Sequence, residues 1–150
     1  MKYKYIISFL LLAVVLQSCD KNKRASKRLM DPGRWVLTDI QVAGEKFDNH
    51  IEWEVAPCEI YEESCEAHWL FDGNSSRIYW QFNDKAETFT ISRAFESTDT
   101  SEYYTTEAKV QAYRFSGEYQ VLTRKRKQMR FQSTQTEGYS GETVVIEIRR

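Results

Sequence analysis

The sequence predicts an all-β domain, an antiparallel up-and-down barrel of about eight strands. Three observations predict it. Apolar and polar residues alternate with period two through most of the chain after Gly33. Turn-forming residues punctuate that alternation at short intervals. The chain holds nine Tyr and eight Phe but only six Gly and two Pro, a composition suited to pleated, half-buried strands. Short connections make consecutive strands antiparallel neighbours. A meander of eight strands removes its exposed edges by closing on itself; an open sandwich is the structural alternative.

The first segment stands apart from this domain. Lys2 and Lys4 precede an apolar run from Ile6 to Leu16, broken only by Ser8. Such a run suits an export signal and is too short to span a bilayer as a helix. It ends in Leu16-Gln17-Ser18-Cys19, which resembles the lipobox of bacterial lipoproteins. The resemblance implies removal of residues 1–18, lipidation of Cys19, and a cell-envelope protein anchored to the inner or outer membrane. The domain would face the periplasm or the outside. Each buried methylene contributes about 0.8 kcal/mol, so two or more acyl chains hold stably where one does not. A plain secretory signal would leave Cys19 as an odd free thiol.

Residues 19–32 read as the lipidated cysteine and a flexible basic tether. Lys21, Lys23, Arg24, Lys27 and Arg28 repel one another and stay solvated, or lie against anionic headgroups. Pro32-Gly33 opens the domain, 33–150. Arg34 to Val42 alternates Val36, Thr38, Ile40 and Val42 against Trp35, Leu37, Asp39 and Gln41. Trp69 and Phe71 share a face before the turn Asp72-Gly73-Asn74. Ile78, Trp80 and Phe82 form the next inward set, and Phe89 and Ile91 follow the turn Asn83-Asp84-Lys85. After a polar stretch, Ser97 to Ser101, a strand is expected over Val110 to Phe115, with Tyr113 and Phe115 together. Tyr119 and Val121 alternate with Gln120 and Leu122; Met129, Phe131 and Ser133 share a face; Val144, Ile146 and Ile148 close the chain's pattern. No segment shows a sustained amphipathic helical period.

The segment Glu45 to Glu66 does not fit the meander. It holds eight acidic residues together with Cys58 and Cys65, and it reads as a long disulfide-pinned loop after the first strand, with room for one short helical turn or strand. Of three cysteines, the two left beside Cys19 would pair in an oxidising compartment, closing a loop worth roughly 2.5 kcal/mol. The rival is a metal site from Cys58, Cys65, His68 and His50. Zinc-binding cysteines are usually two to four residues apart, and six intervene here, so no metal is expected.

Gly33-Arg34-Trp35 opening the first strand resembles the G-x-W signature of the lipocalins, and the domain is similar to the compact lipocalin-like lipoproteins of bacterial envelopes. The resemblance implies that Trp35 packs across one end of the barrel. It also implies an arginine stacked on that Trp, with Arg149 and Arg130 as the candidates. The usual C-terminal helix has no counterpart.

An eight-stranded barrel interior is either filled by side chains or holds one small ligand. Trp80, Phe82, Phe89, Tyr113, Tyr119 and Phe131 are the candidate ligand-lining residues. Asp39, Thr123 and Ser133 hint at a hydrated interior. Arg124-Lys125-Arg126-Lys127, with Arg130 beside it, is a basic hairpin tip suited to an anion or an acidic partner. No G-x-S-x-G, H-E-x-x-H or phosphate-cradling glycine loop is present, so neither catalysis nor a cofactor is expected. A net charge of −1 gives no sign of a nucleic-acid binder. The expected role is a membrane-anchored barrel binding a small apolar or amphipathic molecule. The alternative is a non-enzymatic accessory subunit of an envelope complex, using its loops and basic hairpin on a protein or glycan. A pocket open at one end favours the first; a filled barrel favours the second.

Overall fold

The computed structural model describes residues 21–31, 33–47, 50–59, 64–93 and 105–150. The segment expected to be an export signal, Cys19 and the polar stretch Ser97 to Ser101 lie outside the described residues. Residues 21–30 form helix α1. Strands β1 (Arg34–Val42), β2 (Glu45–Lys46), β3 (Ile51–Val55), β4 (Cys65–Phe71), β5 (Asn74–Phe82) and β6 (Thr88–Arg93) follow. Helix α2 (Glu107–Arg114) then precedes β7 (Gly117–Lys125), β8 (Gln128–Thr136) and β9 (Val144–Arg149).

The sheet order is β2-β1-β3-β4-β5-β6-β7-β8-β9, and β1 also pairs with β9. Apart from the two-residue β2, eight antiparallel strands therefore form a closed ring, as the meander requires. The eight do not all come from the expected segments. Val110 to Phe115 falls largely in α2 rather than in a strand. Thr106 caps that helix, its hydroxyl accepting from the Lys109 amide at 3.3 Å. The eighth strand instead comes from the acidic stretch. Ile51 and Trp53 are buried while Glu54 points to solvent, so Ile51–Val55 is a half-buried wall strand. The disulfide-pinned loop is correspondingly short. Cys58 and Cys65 are bonded with Cα atoms 5.7 Å apart, joining the end of β3 to the start of β4.

β1 departs from simple alternation. Its pairing with β9 shifts between Leu37 and Asp39. A bulge moves every later side chain to the other face, so Trp35, Leu37 and Ile40 all point inward. Asp39 consequently sits outside, 3.9 Å from Arg130. β7 and β8 pair with two further shifts. The Ser133 hydroxyl donates to the Glu118 carbonyl and accepts from the Gln135 amide at 2.9 Å. Its polarity is therefore consumed by the wall and does not line a wet interior.

The stretch expected to be a flexible tether is helical instead. Asn22, Ala25, Ser26 and Leu29 recur at helical spacing, and Ala25, Ser26 and Leu29 are buried. Asn22 donates to the Phe82 carbonyl at 3.1 Å. The Trp35 indole N–H donates to the Leu29 carbonyl at 2.8 Å. Helix α1 thus lies across the end of the barrel where β1 begins and where β5, β7 and β9 finish. Helix α2 packs against β4, β5 and β6 near the opposite end, where Phe115 meets Phe47 and Tyr139.

Candidate functional site

All four tryptophans are buried. The rings of Trp53, Trp69 and Trp80 belong to a chain of contacts that threads the barrel. Phe89 stacks on Phe131 at 4.6 Å between centroids and meets Phe82 at a tilt at 4.7 Å. It also meets Trp53 and Trp80, each at 6.2 Å. Trp53 contacts Trp69 at 5.6 Å, and Trp69 stacks on Phe115 at 5.6 Å. Five of the six residues expected to line an interior, Trp80, Phe82, Phe89, Tyr119 and Phe131, are therefore in the core. Tyr119 donates its hydroxyl to the Phe115 carbonyl at 2.6 Å; burial, with a smaller contribution from Tyr139, pushes its phenol far above the ordinary range. Tyr113 is the exception. It sits on α2, half-buried, with the Arg93 guanidinium 4.8 Å from its ring. The helical register, not the strand register, decides its direction.

Three indole N–H groups inside this core, on Trp53, Trp69 and Trp80, have no protein acceptor. An unpaired buried donor costs roughly 1–3 kcal/mol, so these three groups are a polar feature within the aromatic chain.

At the α1 end, Trp35 is fully buried and the Arg150 guanidinium lies 5.0 Å from its ring. Neither Arg149 nor Arg130 takes that place. Arg149 pairs with Glu147 at 2.7 Å, and Arg130 faces Asp39 and Glu147 on the outer wall. Alternation along β9 sends Arg149 outward and leaves the next residue to turn back over the tryptophan. Arg150 also donates to the Asp31 carbonyl at 2.7 Å, to its carboxylate, and to the Arg126 carbonyl at 3.2 Å. The tip expected as an anion contact is thereby fixed to the helix. Arg124 donates to the Ala86 carbonyl at 2.9 Å and accepts from Arg28 through its own carbonyl. Lys125, Arg126 and Lys127 are exposed.

The hydrogen bond from Arg150 holds the Asp31 carboxyl below its usual value, aided by the charges of Arg150 and Arg126. A carboxylate with a lowered folded-state pKa stabilises the fold above its unfolded value, and loses that contribution as pH falls through the folded value. Acidification below about pH 4 should therefore loosen α1 from the barrel end. Asp31→Asn is expected to lower the neutral-to-basic plateau of a stability-versus-pH curve and to flatten its acid limb, the two curves converging at low pH. An unchanged acid limb would contradict the assignment.

A second polar cluster lies on the outer wall. Arg34, His50, Glu52, Leu70 and the β4–β5 turn border an open hollow of about 370 Å³. His50 lies 3.0 Å and Arg34 3.2 Å from Glu52, and these hydrogen bonds hold the Glu52 carboxyl below its usual value. His68 sits 3.3 Å from Glu66, well separated in register from His50. With both loop cysteines in the disulfide, no group of three His, Cys, Asp or Glu side chains among the described residues is arranged to hold a metal. No helix among the described residues is long and apolar enough to cross a membrane. Searches against protein-family models, characterised proteins and solved structures return no match to this chain.

Proposed function

We propose that the protein is a lipid-anchored, lipocalin-like module of the bacterial cell envelope that works through its surface, as a non-enzymatic accessory to a protein or glycan partner. The lipobox-like Leu16-Gln17-Ser18-Cys19 supports the anchor, and a disulfide between Cys58 and Cys65 suits an oxidising compartment. Trp35 beneath Arg150 supports the likeness to lipocalins. The ring contacts that run from Phe82 to Phe115 carry the choice of role, because they occupy the volume that a barrel ligand needs.

The second reading, a carrier of a small amphipathic molecule, is favoured by one observation. The unpaired indole donors of Trp53, Trp69 and Trp80 would suit a ligand's carbonyl or carboxylate. Titration of the purified protein with a fluorescent fatty acid separates the two. No saturable binding is expected. One-site binding that quenches the tryptophan emission would overturn the surface role in favour of carriage. Mass spectrometry of the same sample should find Cys19 acylated; a bare residue 19 would remove the anchor.

A further inference from the structure

We propose that the α1 end of the barrel is a membrane-docking face that takes the phosphates of anionic phospholipids. The proposal rests on the anchored reading above. It adds an orientation: the barrel stands end-on, with its α2 end turned away from the bilayer.

Two basic segments about a hundred residues apart in sequence meet at this end. The exposed residues of α1 among those described are Lys21, Arg24, Lys27 and Arg28, all basic. They occupy the face opposite Ala25 and Leu29, which are buried in the barrel. The β7–β8 tip adds Lys125, Arg126 and Lys127. The bond from Arg28 to the Arg124 carbonyl ties the two segments together. Between them lies a hollow of about 340 Å³ bordered, among the described residues, by Lys21, Arg24, Ala25, Arg28 and Arg124. The acidic groups described near this end are Asp31, already held by Arg150, Glu54 and Glu66, which face Arg34 and Arg77, Asp84 and Glu87 on the β5–β6 turn, and Glu59 on the disulfide loop. The opposite end instead exposes Glu45, Asp72, Glu107, Glu137 and Glu142 against the exposed Lys46 and Arg114. A chain of net charge −1 is thus polarised from end to end, and a negative surface attracts one end and repels the other.

The anchor lies on the attracted side. Two residues of chain span at most about 7 Å, so Cys19 cannot stand further than that from Lys21. The expected tether of a dozen residues would have let the domain drift beyond the reach of surface electrostatics, which is about 10 Å at 0.1 M salt. With those residues folded into α1, the basic face is held within that layer. Each Lys or Arg near an anionic leaflet is worth about a fivefold gain in surface partition.

Amine footprinting reads this orientation on the natural chain. The purified full protein is reconstituted into bilayers containing phosphatidylglycerol, or phosphatidylcholine alone, and acetylated briefly before mass spectrometry. Lys21, Lys27, Lys125 and Lys127 are expected to react at least about fivefold more slowly on the anionic bilayer. Lys46 and Lys109, at the far end, serve as references and should not change. Protection should vanish in 1 M salt, where the screening length is about 3 Å. Equal reactivity at both ends would overturn the proposal. So would equal protection by inorganic phosphate alone, which marks a free-phosphate site, or by polyglutamate, which marks an acidic protein partner. If residue 19 proves bare, the unacylated protein is added to preformed vesicles of the same compositions. Salt-sensitive protection of the same four lysines then sustains the docking face although the anchor fails, and its absence overturns the face as well. Lys125→Gln, Arg126→Gln and Lys127→Gln together should abolish the protection of Lys21 and Lys27 while the melting temperature stays within a few degrees. Retained protection in that variant would overturn the role of the tip.

Discussion

Phe89→Ala is expected to destabilise the protein by about 3–5 kcal/mol and to lower its melting temperature by roughly 10–20 °C. Phe89 is 1% exposed and touches four aromatic rings, those of Trp53, Trp80, Phe82 and Phe131. Truncation removes the transfer energy of the ring and leaves a cavity that rigid neighbouring rings fill poorly. The side chains best placed to collapse inward belong to strands fixed on both sides by ladder bonds. Thermal unfolding followed by far-ultraviolet circular dichroism measures the shift. A loss under about 1 kcal/mol would mean that the interior is loose, and the argument for a filled barrel would fall with it.

Gly117→Ala should be comparably costly, at about 2–6 kcal/mol, although it adds a single methyl. Gly117 begins β7 with φ at +154°, where an L residue carries a penalty of about 1–3 kcal/mol. The added Cβ would stand 2.3 Å from the Gln135 carbonyl oxygen and 2.9 Å from the Thr136 Cα. Both are backbone atoms of the paired strand β8, so neither can swing aside, and the overlap costs about a further 1–3 kcal/mol. Gly141→Ala offers the comparison. Its φ is also positive, at +85°, but no atom lies within 4 Å of an added Cβ. Denaturant midpoints should therefore rank wild type, then Gly141→Ala, then Gly117→Ala. Equal losses at the two positions would show that backbone conformation alone is responsible.

Much of the ring is legible in the sequence because a strand facing a core on one side and water on the other writes its period into the residues. Ile78, Trp80 and Phe82 do so on β5, and Phe89 and Ile91 on β6. β3 is harder to read because Glu52 and Glu54 dominate its composition, although Ile51 and Trp53 between them keep the period. α2 is lost for the opposite reason. Tyr113 and Phe115 look like a strand pair, while Thr106 at the cap and the good helix formers Glu107, Ala108, Lys109 and Gln111 carry the stronger local preference. α1 is hidden by charge. Its five basic residues suggest a solvated spacer, yet Asn22, Ala25, Ser26 and Leu29 mark a narrow buried stripe. The bulge in β1 leaves no compositional trace, since it depends on how Thr38 is passed over in the pairing with β9. The cluster of Asp31, Trp35, Arg126 and Arg150 is the least legible feature. Its two halves, Asp31 with Trp35 and Arg126 with Arg150, come from opposite ends of the domain's sequence, and only the closed ring brings them together.

The seam between β1 and β9 has a consequence for when this molecule acquires its shape. Val42 faces Val144 and Val36 faces Arg149, so about a hundred residues of chain must be gathered before the first and final staves touch. Holding such a span shut costs about 4 kcal/mol of chain entropy, repaid only once the intervening hairpins are in place. Topologies dominated by distant partners assemble in milliseconds to seconds. A polypeptide still being synthesised therefore has no finished cylinder, and the shape arises only after nearly all of it has emerged.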